Sequence, residues 1–220
     1  MAELISGLTA ERVRANLAEV RERIEAAAAR AGRDAGEIEI VAAVKYVPPA
    51  EMGALAQAGI TIAGENRAQD LVAKIEAHGD AFTWDFIGRL QSRKVKVVAP
   101  LVRLIHSVAT ESVLGQLERH APPQLRVLVE VNVAGEEGKD GVAPADLDAF
   151  IGRCPVPVVG LMTMPPLVHD PEDSRRWFAA LRELAAAGGL PTQSMGTTQD
   201  YEVAVEEGAT LVRIGTSLFA

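Results

Sequence analysis

Short runs rich in valine and isoleucine alternate with alanine-rich stretches along most of this 220-residue chain, and no other feature restricts its fold as strongly. Apolar runs without strict polar alternation suit strands buried on both faces, the condition of a parallel sheet. Parallel strands need long crossover connections, which the alanine-rich stretches supply as helices. Eight runs read as strands: 38–44, 61–65, 83–88, 104–108, 126–133, 158–164, 193–196 and 210–215. Helical patterns fall at 50–58, 68–77, 111–120, 144–152, 172–187 and 200–207. Eight such units in one domain predict a closed (β/α)8 barrel, with a doubly wound open sheet as the rival.

An extra helix precedes the first strand. Val13, Leu17, Val20 and Ile24 recur every three or four residues across 9–30, with Thr9 placed as N-cap and Gly32 as the stop. Little chain follows the eighth strand, so the last helix is expected to be very short or absent, and the first helix to cover the gap it leaves. The expected organisation is a single domain over 1–220, with the N-terminal helix in 1–32 and the barrel in 38–219.

A formal charge of −8 argues against a basic nucleic-acid face, although a small anion needs only a local nest of donors. The single cysteine, Cys154, excludes a disulfide within the chain and fits a reducing compartment. The most apolar long stretch, 95–109, is broken by Lys96, Pro100, Arg103 and His106, so no membrane span is expected. Charge throughout 1–20 does not fit a signal peptide. The expected location is therefore cytoplasmic, and no metal site is expected.

In a (β/α)8 barrel, function collects in the loops at the C-terminal ends of the strands. Strand one ends in Val44-Lys45-Tyr46-Val47-Pro48. A half-buried lysine amine loses hydration, tends toward neutrality and can attack an aldehyde to form a Schiff base. The other reading of Lys45 is a strand-end lysine reaching water. After strand two, Glu65 or Asn66 could orient a ligand, or Asn66 could simply cap a helix. Arg89, Arg93 and Lys94 follow strand three as phosphate ligands or as solvated cations. Met162 and Met164 suit either a flat ring or core filling. Ser194, Thr198, Gly215 and Thr216 lie in or beyond the last two strands, where such barrels often bind phosphate. Arg213 sits within strand eight, facing either the mouth or an interior carboxylate, and His106 reads as a hydrogen-bonded interior residue.

Several motifs together carry a resemblance. They are Val44-Lys45-x-x-Pro48, Gly64-Glu65-Asn66, Phe86-Ile87-Gly88-x-Leu90-Gln91, Val131-Asn132-Val133 with Lys139-x-Gly141, Gly160-Leu161-Met162-Thr163, Ser194-Met195-Gly196 and Val212-Arg213-Ile214-Gly215-Thr216. The ordered set, from about Ile38 to Phe219, resembles the pyridoxal-phosphate homeostasis protein family. The resemblance implies an alanine-racemase-type barrel without that enzyme's second domain. It implies pyridoxal 5′-phosphate held as an internal aldimine on Lys45. Thr198, Gly215 and Thr216 would contact the phosphate, and Arg213 would lie near the pyridine nitrogen. Asn66, Met162 and Ser194 would line the site. The chain departs from the family pattern at Val44, Asp85, Arg93 and Thr198; Asp85 and Arg93 put any surface role of that loop in question.

Three functions follow. The leading one is a monomeric carrier that buffers the cofactor and hands it to apo-enzymes, without catalysis of its own. Lys139 would either assist transfer or be a solvated loop lysine. The second is a weak amino-acid racemase or decarboxylase, for which the sequence offers few positioned acids or bases. The third is an unrelated phosphosugar barrel enzyme, which would form no aldimine.

Overall fold

A computed structural model describes residues 4–220; the first three residues of the expected N-terminal segment lie outside the described residues. Eight parallel strands close into a barrel in sequential order. They are β1 Glu39–Ala43, β2 Ile62–Glu65, β3 Thr83–Phe86, β4 Leu104–Val108, β5 Arg126–Glu130, β6 Val158–Met162, β7 Thr192–Thr197 and β8 Leu211–Ile214. The closing seam pairs Glu39 with Leu211 through to Ala42 with Ile214. That pairing excludes the open-sheet rival.

Each predicted strand is present, but β3, β5 and β6 stop earlier than expected. Beyond the barrel rim the chains diverge and the ladder runs out of partners; Val131 keeps only an isolated bridge to Val142. The weakest sequence signal, strand seven, forms β7 with six residues.

Nine α-helices are present among the described residues: α1 Ala10–Arg30, α2 Met52–Ala58, α3 Ala68–His78, α4 Val95–Val98, α5 Glu111–His120, α6 Leu147–Ile151, α7 Arg175–Ala187, α8 Tyr201–Glu206 and α9 Thr216–Phe219. The single turn α4 is the one crossover helix that the sequence pattern did not predict. Its β-branched residues and Pro100 obscure a helical period, and it forms because Val95 and Val98 are buried against the barrel.

Helix α1 lies over α2, α8 and the single-turn α9. Thr9 Oγ1 accepts a hydrogen bond from the Arg12 amide at 3.3 Å, which caps the first turn. Val13, Leu17, Val20 and Ile24 are all buried, each contributing about 1.5–3 kcal/mol of apolar transfer. The helix packs on α2, α8 and α9, so it spans the seam between β8 and β1. Polar contacts fix its position. Arg12 Nε donates to the Ala220 carbonyl at 2.8 Å, and Asn16 Nδ2 donates to the Leu218 and Ala220 carbonyls at 3.2 and 3.0 Å.

Most of the core lies between the strands and the helical shell. A smaller apolar cluster of Val41, Ile62, Leu104, Leu128, Met162 and Leu211 fills the barrel interior. Asp85, His106, Ser194 and Arg213 are buried polar residues linked by hydrogen bonds across the barrel.

Candidate functional site

A cleft of about 780 Å³ opens at the C-terminal mouth of the barrel. Lys45, Asn66, Met162, Thr198, Arg213, Gly215 and Thr216 all line it, so the fold gathers these predicted residues from β1, β2, β6, β7 and β8. Ser194 does not line it. It is fully buried below the floor, where its hydroxyl accepts a hydrogen bond from Arg213 Nη1 at 2.5 Å. Its alternation on β7 turns it into the barrel interior, where it supports Arg213 from beneath.

Of the two readings of Lys45, the structure has the lysine that reaches water. Strand β1 ends at Ala43, so Lys45 stands two residues past it in a turn and is exposed, not half-buried. Val44 takes the buried position instead. The Lys45 ammonium lies 4.8 Å from the Tyr46 ring centroid, over its electron-rich face.

The turn that carries Lys45 is braced from behind. Lys74 Nζ, on α3, donates to the Val44 carbonyl at 2.7 Å and pairs with Glu65, both side chains being buried. The other Glu65 oxygen accepts the Asn66 and Arg67 amides at 2.6 and 3.1 Å. Glu65 thus holds the two amides that lead into α3, and no side chain caps the helix itself. The Asn66 Oδ1 atom is left buried without a partner, at the edge of the cleft.

The far side of the cleft is rich in donors. The Gly215 amide donates to Thr198 Oγ1 at 3.1 Å and joins the loops after β7 and β8. Thr216 and Ser217 begin α9, where the first amides of a helix have no intrahelical acceptor. Arg213 is buried and makes its hydrogen bonds to neutral groups: Ser194 Oγ, the Thr163 carbonyl at 3.0 Å and Met164 Sδ at 2.9 Å. Burial pushes its pKa down to about 10, so the guanidinium stays charged at neutral pH.

Of the cations after β3, Arg89 lines the cleft and pairs with Asp140 at 3.0 Å. Arg93 is exposed and bonds Gln91, and neither it nor Lys94 lines the cleft. Lys139 pairs with Glu136. Asp85 belongs to the barrel interior and not to a surface loop.

Two carboxylates of the cleft escaped the sequence reading. Glu130 ends β5 and Asp140 follows in the next loop. Burial, and then the Asp140 charge, raise the Glu130 pKa, against the opposing pull of Arg213, Lys139 and Arg89. Its signal was the same as that of Lys45: an ionisable residue at the end of an apolar strand.

A scan against protein-family models finds no match. Curated relatives do match. The pyridoxal phosphate homeostasis protein of Aquifex aeolicus is 43% identical over 217 residues, covering 92% of this chain and 95% of its own. That of Pseudomonas aeruginosa is 38% identical over 214 residues and covers 93% of both. The chain belongs to the pyridoxal phosphate homeostasis protein family. Among solved structures, PipY of Synechococcus elongatus with PLP bound superposes with a TM-score of 0.78 at 28% identity, covering 94% of this chain and all of PipY. Alanine racemase of Corynebacterium glutamicum shares the fold, with a TM-score of 0.71 at 13% identity over 99% of this chain and 62% of that enzyme. The homeostasis-family chain thus has the alanine-racemase type of barrel, as expected from its sequence.

Proposed function

We propose that this chain binds pyridoxal 5′-phosphate in the mouth cleft and takes part in keeping the cell's supply of that cofactor balanced. The observation that carries this reading is the meeting, in one cleft, of Lys45, Arg213, Thr216 and the Thr198 hydroxyl that the Gly215 amide holds in place. The relatives' shared name and the PLP-bound PipY structure support the same ligand.

The cleft fits such a group on its own chemistry. Asn66 Oδ1 is a buried acceptor without a partner. Thr216 and Ser217 offer amides at a helix start, a natural anion site beside the Thr198 hydroxyl. Arg213 holds a desolvated positive charge with no carboxylate bonded to it. When bound, the cofactor supplies an aldehyde and an electron-withdrawing ring. In this reading Lys45 holds it covalently through its amine, and Thr198, Gly215 and Thr216 take the phosphate. Arg213 faces the pyridine nitrogen, Asn66 and Met162 line the ring, and Ser194 acts only through Arg213.

The same reading makes the chain a carrier that passes the cofactor to apo-enzymes. It is taken as one domain over 1–220, monomeric and cytoplasmic, without catalysis of its own. No described helix is long and apolar enough to cross a membrane.

The deciding experiment compares visible spectra of wild type and Lys45→Ala with added pyridoxal phosphate and borohydride. A yellow band that borohydride bleaches and that the variant lacks is the expected result. A colourless wild type would remove this reading and favour a phosphosugar enzyme. Exchange of the α-proton of amino acids, followed in deuterated water, tests the carrier role; sustained turnover would replace it with a racemase or decarboxylase.

A further inference from the structure

A hydrogen-bonded chain crosses the barrel interior beneath the cleft, and the proposed cofactor contacts leave most of it unexplained. At the β4 end of this chain, Arg103 forks onto Asp85, Nη2 donating to Oδ2 at 2.8 Å and Nε to Oδ1 at 3.1 Å. Asp85 Oδ2 lies 3.2 Å from His106 Nε2, and His106 Nδ1 lies 2.9 Å from Ser194 Oγ. Ser194 Oγ in turn receives Arg213 Nη1. Asp85, His106 and Ser194 are completely buried, so water does not complete these bonds.

The protons in this chain have one consistent arrangement. Arg213 has only donors, so Ser194 Oγ accepts from it and its own proton is free for His106. His106 Nδ1 must then be the acceptor and Nε2 the protonated nitrogen. Asp85, an acceptor only when ionised, takes the Nε2 proton, and the Arg103 fork keeps it ionised. Each donor meets an acceptor in this order. Reversing the imidazole would leave the Ser194 hydroxyl proton without its acceptor and set the bare Nε2 lone pair against the ionised Asp85 carboxylate.

We propose that Asp85 and His106 are positioning residues for Arg213: they fix the imidazole tautomer, which aims the Ser194 lone pair at the guanidinium and holds Arg213 in the cleft floor. Deep in a strand, an acid and a histidine look like core irregularities; here they set the orientation of the one buried cation of the cleft. The consequence for cofactor affinity rests on the reading that the cleft binds pyridoxal phosphate. The tautomer and its effect on Arg213 do not.

The experiment uses the full chain labelled with ¹⁵N and without ligand, which separates the two claims. In wild type, His106 should be neutral with its proton on Nε2, and the Arg213 N–H resonances should exchange slowly with water. In Asp85→Asn the tautomer should switch, and Arg213 exchange should quicken at least tenfold. Ser194→Ala should quicken Arg213 exchange to a similar degree, and the double variant should be no worse than Ser194→Ala alone. Pyridoxal phosphate titrations should follow the same non-additive pattern. A wild-type His106 protonated on Nδ1 or on both nitrogens would overturn the proposal even if the variants fail to fold. So would strictly additive effects on Arg213 exchange. Correct tautomer and coupling in a chain that binds no pyridoxal phosphate would uphold the positioning of Arg213 and remove the cofactor reading instead.

Discussion

The Gly215 amide donates to Thr198 Oγ1 across 3.1 Å, so the loops after β7 and β8 are already joined in the protein alone. A joined pair of loops is a preorganised anion site, because its donors need little ordering when a phosphate arrives. Thr198→Val keeps the shape and removes the oxygen. It should weaken pyridoxal phosphate binding about tenfold, or ~1.4 kcal/mol, while leaving binding of unphosphorylated pyridoxal nearly unchanged. Absorbance titrations with both compounds read this; equal losses would show that Thr198 does not serve the phosphate.

The buried pair of Lys74 and Glu65 ties β1, β2 and α3 together behind Lys45. Lys74→Met should destabilise the fold by about 3–5 kcal/mol, since it strands a buried carboxylate. Adding Glu65→Gln should recover part of that loss. Urea unfolding of the single and double variants would show it, and a double variant less stable than Lys74→Met would contradict the pairing argument.

Gly88 lies where the loops after β2 and β3 touch. A Cβ there would fall 2.3 Å from the Asn66 carbonyl oxygen and 2.5 Å from its Cα, both backbone atoms that cannot turn away. Gly88→Ala should cost roughly 1–3 kcal/mol, the usual range for overpacking, and displace Asn66 from the cleft edge. Thermal melting with and without pyridoxal phosphate should reveal both a lower Tm and a smaller ligand-induced rise.

Two groups of the interior chain set the response to acid. Burial pulls the His106 pKa below its ordinary value of 6.5, with Arg213 and Arg103 adding to the effect over the opposing pull of Asp85. Burial would raise the Asp85 pKa, but the hydrogen bonds from His106 and Arg103 outweigh it and leave it lowered. In both cases the unfolded chain binds more protons than the fold, so stability falls as pH falls. The loss through His106 begins near its unfolded value of 6.5, and that through Asp85 near 3.8. His106→Gln should flatten the stability profile just below neutrality while leaving the steeper loss in the carboxylate range. Equilibrium unfolding between pH 3 and 8 measures it; an unchanged slope between pH 5 and 6.5 would show that His106 is not the titrating group.

The barrel was legible in the chain because its cause is local and repetitive. Buried parallel strands show themselves as apolar runs, crossovers as helical periods, and α1 as a stripe of Val13, Leu17, Val20 and Ile24. Residues at strand ends were legible for the same reason: once the barrel is granted, the C-terminal ends of β1, β2, β6 and β8 converge, and Lys45, Asn66, Met162 and Arg213 share the cleft.

What the tertiary structure alone decided is which way those side chains face and what they meet. A one-residue difference at the end of β1 leaves Lys45 exposed and Val44 buried. Strand alternation turns Ser194 inward, beneath Arg213. The pairings of Glu65 with Lys74, Asp85 with Arg103, and His106 with Ser194 join residues 9, 18 and 88 positions apart. No periodicity records them, because hydrogen bonds across a barrel depend on register and closure. The sequence by itself determined the barrel and the location of its mouth; only its closure in three dimensions decided which polar groups satisfy one another and which remain free for a ligand.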